Sequence, residues 1–391
     1  VVPTALGRTW TDRTGKLNVD AELVTVRDGK AYLEKADGTV SAVPLQRLSI
    51  KDLAYLAAMP KYESQVKPFL PDDPTSPASP SPTMATIEVD DPSASGSIRQ
   101  FRSDRWGYKG LAFSNDGAYL ATLGSNNVTV MDINASTKTE YEIDSGNRSS
   151  VTFSPDGKRL LAGSFDGNVL VWQFGNEGEL KPEKQFSIHQ GEIKSIVVSP
   201  DNQHVLTTHS PNVACLWELD SGKVLARFND FAFNSGAAVR FSRYGGHVMM
   251  TDGRVAAVID IASRKIIQRM SLSRGSGQFA VISPDASLIS VGRIYDIHFF
   301  QTLTGMQSAT SKGDETLWSA AFSPNGNRLI SGGRENVKLW DAESGAMLQE
   351  FAMADSGYVK YVAFSPDGLH FAAIGAPLGK LVEVFRLPQS R

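Results

Sequence analysis

The stretch Phe153-Ser154-Pro155-Asp156-Gly157 returns letter for letter at Phe364–Gly368. Near copies stand at Phe113–Gly117 (FSNDG), Val198–Asn202 (VSPDN), Phe241–Gly245 (FSRYG), Ile282–Ala286 (ISPDA) and Phe322–Gly326 (FSPNG). The steps from one to the next are 40, 45, 43, 41, 40 and 42 residues. Self-similarity at a fixed period marks a repeat architecture, in which each unit is one supersecondary element that buries its core against its neighbours. The phrase consists mostly of turn formers. Proline presets φ, aspartate bonds back to the backbone, and glycine supplies a positive φ.

Around each copy the same order recurs. An alternating run such as Val362-Ala363-Phe364 reads as a strand and the phrase as its tight turn. A second strand follows, as in Leu160–Ser164, then a third ending in an aromatic, as in Val169–Trp172. A more variable fourth run ends near Phe186, Phe228 or Phe351. Four short antiparallel strands repeated around an axis make a β-propeller, here with seven blades. The seventh unit runs out near Phe385, before a fourth strand. Ser97–Phe101 is expected to supply it and so join the two ends of the ring.

These units, over about residues 97–391, resemble the WD-repeat family, with Leu339-Trp340-Asp341 the one literal Trp-Asp. The resemblance implies a hydrogen-bonded tetrad of histidine, serine or threonine, aspartate and tryptophan bracing a blade. Blade three comes nearest, with His189, Thr208, Asn212 in the aspartate place and Trp217.

The first 60 residues read differently. Thr9–Asp12, Lys16–Val26, Lys30–Lys35 and Thr39–Val43 are candidate strands, with Asp28-Gly29 and Asp37-Gly38 as hairpin signals. Ser49-Ile50-Lys51-Asp52 is a capping-box-like start to a short helix. A meander with one terminal helix predicts a small SH3-like barrel. By their alternation, Trp10, Val24, Leu33 and Val43 are its expected core. From Arg8 to about Leu56, the Arg-Thr-Trp-Thr-Asp opening, the two Asp-Gly turns and the Val-Pro-Leu entry to the helix are similar to the Sla-one homology domain. That resemblance implies recognition of Asn-Pro-Phe-x-Asp peptides and an adaptor role near cytoskeletal and clathrin machinery. Joined compactly to a propeller, the module looks more like its bacterial carriers. The expected class is mostly β: the barrel at residues 1–60, a Pro/Ser-rich linker at 61–95 and a seven-bladed propeller at 96–391.

Bulk chemistry narrows the function. A net charge of -3, with the 39 basic residues evenly spread, argues against a nucleic-acid partner. No apolar run reaches about 18 residues, so no membrane insertion is expected. Cys215 is the one cysteine, which excludes an internal disulfide or a cysteine cage and reads as a core residue. The six histidines show no metal or nucleophile spacing, and no Walker loop or Gly-x-Ser-x-Gly elbow is present. No catalytic residue, metal or cofactor is expected. The chain starts at Val1 rather than methionine, which is expected either of a processed protein or of a trimmed chain and leaves both the cytoplasm and export open.

The candidate sites are therefore surfaces. Four residues before each phrase, the first strand enters from one mouth of the channel, at Lys109, Ser149, Lys194, Ala237, Gln278, Trp318 and Lys360. Tyr358, Phe165 and Arg334 are expected on the same face. In WD-repeat proteins this ring is a frequent partner contact, and lysines beside an exposed tryptophan suit an acidic peptide with an apolar anchor. On the barrel, Arg27, Lys30 and Lys35 are candidates to meet the acid of a Phe-containing ligand. Lys67–Asp72 is a degenerate copy of that ligand, so Pro68, Phe69 and Asp72 are a candidate self-ligand at roughly millimolar effective concentration. The expectation is a non-enzymatic adaptor with protein or peptide partners, self-association among them. A propeller hydrolase of lactonase type and a structural cell-envelope protein are the alternatives.

Overall fold

The computed structural model describes residues 8–11, 18–27, 29–35, 40–57, 62, 66, 96–103, 107–124, 126–143, 148–187, 191–229, 238–242, 245–252, 254–272, 279–284, 287–293, 295–301, 306–312, 316–355, 357–375 and 379–388. Two compact units divide the chain, residues 1–81 and 82–391. Among the described residues there are eight four-stranded antiparallel sheets, one in the first unit and seven in the second.

In the first unit β1 (Arg8–Thr11), β2 (Asn18–Arg27), β3 (Lys30–Glu34) and β4 (Val40–Pro44) pair in chain order, and α1 (Ile50–Ala57) closes the unit. The helix starts as its sequence demands. The Ser49 hydroxyl donates to the Asp52 carboxylate at 2.8 Å and accepts the Asp52 N–H at 3.2 Å. The same buried carboxylate accepts the Thr11 N–H at 2.8 Å, fastening the helix to β1. Trp10 and Leu33 are core as expected, and Val43 is half-buried against them. Val24 is not, being 50% exposed. The β2–β3 register slips between Leu23 and Thr25, so Val24 is the extra residue of a β-bulge and is turned out of the alternation. Ala21 and Val26 fill the core on either side of it, and Tyr62 and Val66, beyond residue 60, are buried in the same cluster.

Six of the seven sheets of the second unit have their strands a to d in sequence order, as in blade six: Ser319–Phe322, Arg328–Gly332, Asn336–Asp341 and Met347–Ala352. The inner a strands neighbour one another in turn, and that of blade seven lies beside that of blade one. Blade seven takes its outer strand from Gly96–Arg102, with Val382 opposite Phe101 and Glu383 opposite Gln100. The expected closure is therefore present. Faces of adjacent blades pack through aromatics, as where Phe351 of blade six meets Phe371 and Phe385 of blade seven at 5.0 and 5.9 Å.

The repeated phrase is the a–b turn, and its serine is the keystone. The buried Ser154 hydroxyl donates to Asp156 at 2.6 Å and accepts the Arg159 N–H at 2.9 Å. Ser114, Ser199, Ser323 and Ser365 repeat both bonds, with Asn325 in the aspartate place after Ser323. Adjacent turns also touch. A methyl added at Gly368 would lie 3.4 Å from Pro324, and one at Gly245 the same distance from Pro200. Where the phrase departs, asparagine bridges instead. Asn115, in the proline place, donates to the Ser154 carbonyl, and Asn202, in the glycine place, accepts the Asp156 N–H at 3.1 Å. Described copies of the phrase thus meet their neighbours at one mouth of the channel, around a cavity of about 680 Å³ lined by Pro155, Pro200, Pro284 and Pro324.

Candidate interaction surfaces

Antiparallel order puts the a–b and c–d turns at one mouth and the b–c turns and d–a connections at the other. The second mouth carries the sequence-predicted face. Trp318 and Tyr358, on the connections into blades six and seven, meet edge to face at 5.4 Å and 67° while remaining 37% and 49% exposed. Their backbones are fixed by the b–c turn of blade six. The Trp318 N–H donates to the Gly332 carbonyl and the Val359 N–H to the Gly333 carbonyl, both at 2.9 Å. Gly332 is required there because a Cβ would collide with the Val359 carbonyl oxygen and crowd the Ser319 hydroxyl at 2.8 Å. Lys360 and Arg334 are exposed beside this pair of connections.

The rest of the expected ring is more varied. Lys109 lies over the Phe165 ring, its ammonium 5.6 Å from the centroid, with Phe165 still 43% exposed. Lys194 is ion-paired to Glu192. Ser149 stands in a described strand, while Ala237 and Gln278 lie outside the described residues. One exposed aromatic was missed. Tyr295, 55% exposed, occupies the b–c turn of blade five, and the available signal was a large aromatic in a turn, as at Phe165. Around blades one, two, six and seven the face thus presents aromatics with Lys109, Lys360 and Arg334, and the same turns and connections also carry Asp166, Glu335 and Asp355.

Blade three corrects the expected tetrad. The Trp217 indole N–H donates to the Thr207 hydroxyl at 2.7 Å, and that hydroxyl lies 2.8 Å from His209 Nε2. Thr208 is not the partner. Strand residues alternate, so Thr207 faces the same side as Cys215 and Trp217 while Thr208 faces the other. Asn212 is exposed in the turn, and His189 lies outside the described residues. Blade six shows the same brace, Trp340 Nε1 to the Ser331 hydroxyl at 2.8 Å. Cys215 is fully buried, and burial pushes its thiol up to about 11.

The remaining histidines serve single blades. His204, His247 and His370 lie 3.9, 3.8 and 3.4 Å from Asp201, Asp260 and Asp367 respectively. Burial, helped by Arg293, holds His298 below the usual imidazole range. Among the described residues no three His, Cys, Asp or Glu side chains gather as a metal site. On the first unit Lys30 is exposed and Lys35 half-buried, while of Arg27 only the backbone is described. Exposed Val24 and Tyr55 add apolar surface there, Tyr55 packing edge-on to Trp10 at 6.0 Å. Pro68, Phe69 and Asp72 lie outside the described residues.

Comparison with known proteins agrees with this architecture. Residues 3–63 match the family model for SLA1 homology domain 1, and residues 141–173 and 305–341 match the WD domain, G-beta repeat. Pre-mRNA-processing factor 19 homolog 2 of Arabidopsis thaliana is 24% identical over 56% of this chain and 34% of that protein. The actin cytoskeleton-regulatory complex protein sla1 of Schizosaccharomyces pombe is 46% identical over 13% of this chain and 4% of its own length. Target of rapamycin complex subunit wat1, from the same yeast, is 30% identical over 28% of this chain and 37% of its own. The chain spans well under half the length of these curated relatives. They are eukaryotic and lend no support to the bacterial expectation.

Proposed function

We propose that this chain, a WD-repeat protein with an N-terminal SLA1 homology domain 1, is a protein-interaction scaffold that binds one peptide on each unit. The observation that carries this reading is the Trp318–Tyr358 pair, exposed yet fixed by backbone hydrogen bonds and flanked by Lys360 and Arg334. Pre-ordered aromatics lose little entropy on binding, and such residues carry most of the energy of an interface. Neighbouring cations select an acidic ligand. Two of the relatives are named as members of a complex, an actin cytoskeleton-regulatory one and a target of rapamycin one. We read the chain as a binder rather than a catalyst, since this face offers ammonium and aromatic groups where a hydrolase would converge carboxylates and imidazoles.

On the first unit the corresponding ligand is a Phe-containing segment of the Asn-Pro-Phe-x-Asp type, its acid directed to Lys30 or Lys35 and its ring to the apolar surface at Val24 and Tyr55. The Lys67–Asp72 stretch is then a self-ligand that an external peptide displaces. Polarisation titration of the full chain with a fluorescein-labelled Asp-Glu-Phe-Glu-Asp peptide tests the propeller half. Saturable binding is expected, weakened about 30-fold in Trp318→Ala, as a hot-spot aromatic worth about 2 kcal/mol requires. Equal binding by wild type and variant, or none by either, sinks the propeller-face reading.

A further inference from the structure

The d strands lie along the outer rim of the propeller, and several cations there are matched within the chain. Arg159 meets Glu183 at 2.9 Å and Asp220 at 3.0 Å, and Lys184 meets Glu183 at 3.1 Å. Lys138 reaches Glu140 at 3.5 Å, and Arg102 pairs with Asp355. The seam between the d strands of blades three (Val224–Phe228) and four (Lys265–Ser271) differs. An open groove of about 540 Å³ is lined there, among the described residues, by Arg227, Phe228, Arg264, Lys265, Ile267 and Arg269 with no acidic side chain. Arg227, Arg264 and Lys265 are exposed and make no ion pair with any described residue. Asp260, opposite Lys265 in the ladder, is committed elsewhere, accepting the Ser263 N–H at 2.7 Å with His247 3.8 Å away.

The apolar part has a structural cause. The blade-four ladder slips between Val258 and Ile259, leaving Ile267 as the bulge residue of the outer strand, 55% exposed between flanking cations. We propose that this groove docks an acidic segment of a partner protein, its carboxylates on Arg227, Arg264 and Lys265 and one aliphatic side chain on Ile267. A local charge of this sign on a chain of net charge -3 concentrates complementary anions at one place on the rim. The lining favours a peptide over a nucleic acid. Single strands need exposed stacking aromatics, and the one aromatic here, Phe228, is 7% exposed.

The test is polarisation titration of the full chain with a fluorescein-labelled Asp-Glu-Glu-Ile-Glu-Asp-Leu-Glu peptide, in the wild-type and Trp318→Ala backgrounds. Binding in the Trp318→Ala background separates this groove from the face on blades six and seven. There, Arg227→Glu/Lys265→Glu should lose at least tenfold in affinity and Ile267→Ser several-fold, each with an unchanged melt. Lys265→Ala is the milder variant, expected to lose about threefold, should charge reversal disturb folding. The proposal is overturned by no binding in the Trp318→Ala background, or by equal affinity of the groove variants. It is also overturned if an oligonucleotide of equal charge displaces the peptide as well as unlabelled peptide does, since the surface would then be a general polyanion site.

Discussion

Thr207 and Thr208 are adjacent, both fully buried, and opposite in consequence. Thr207 accepts from Trp217 and touches His209, whereas the Thr208 hydroxyl has no hydrogen-bond partner among the described residues. Removing a buried partner strands the other group at a cost of about 1–3 kcal/mol, while replacing an unsatisfied hydroxyl by a methyl of the same shape is neutral or stabilising. Thr207→Val is therefore expected to lower the urea midpoint clearly, and Thr208→Val to leave it unchanged or raise it. The reverse order would return the brace to Thr208. This distinction was not legible by counting from the tryptophan, because the spacing is ten residues in blade three and nine in blade six. It follows once strand pairing fixes which side each residue faces. Val24 is the same lesson in the first unit, where one bulge residue defeats an alternation that Leu33 and Trp10 obey.

The a–b turn is the element most fully written in the sequence, since its chemistry is local to five residues. Its charge also makes a pH prediction. Burial pushes the Asp367 carboxyl up, but the neighbouring His370 imidazole, 3.4 Å away, and the hydrogen bond from the Ser365 hydroxyl outweigh this, so it titrates below the usual carboxylate range. A depressed folded value stabilises above the unfolded pKa of about 3.9 and loses that contribution as pH falls through the folded value. Asn can still accept from the serine, as Asn325 does from Ser323 at 2.7 Å. Asp367→Asn should thus be less stable than wild type near neutrality, with the gap closing in acid. A gap independent of pH would show that the charge contributes nothing. The proposed face was half legible. Trp318 and Lys360 follow from their offset to the phrase, while the pairing of Trp318 with Tyr358 and the matching of Lys194 by Glu192 depend on contacts between distant segments.

Across the whole molecule, the period announced the ring and arithmetic on its last unit announced the closure. Strand c of blade seven is buried at every position from Leu381 to Arg386, so it depends on Gly96–Arg102 to cover its outer edge. Gln100 also donates to the buried Glu383 carboxylate at 3.0 Å, the other oxygen of which accepts the Ala354 N–H at 3.0 Å. Deleting 96–102 exposes that edge and strips a buried charge of a partner, so calorimetry should show a much lower melting temperature or aggregation. A melt equal to wild type would mean the ring does not need its first strand.

The scaffold reading requires that one chain hold two ligands at once. The decisive measurement saturates the full chain with unlabelled Asn-Pro-Phe-x-Asp peptide and then titrates the labelled Asp-Glu-Phe-Glu-Asp peptide, reading polarisation. Separate sites on the two units predict that both bind, with the affinity of the second unchanged by the first and sensitive to Trp318→Ala. Mutual displacement, or failure of either peptide to bind, would contradict a two-ligand scaffold.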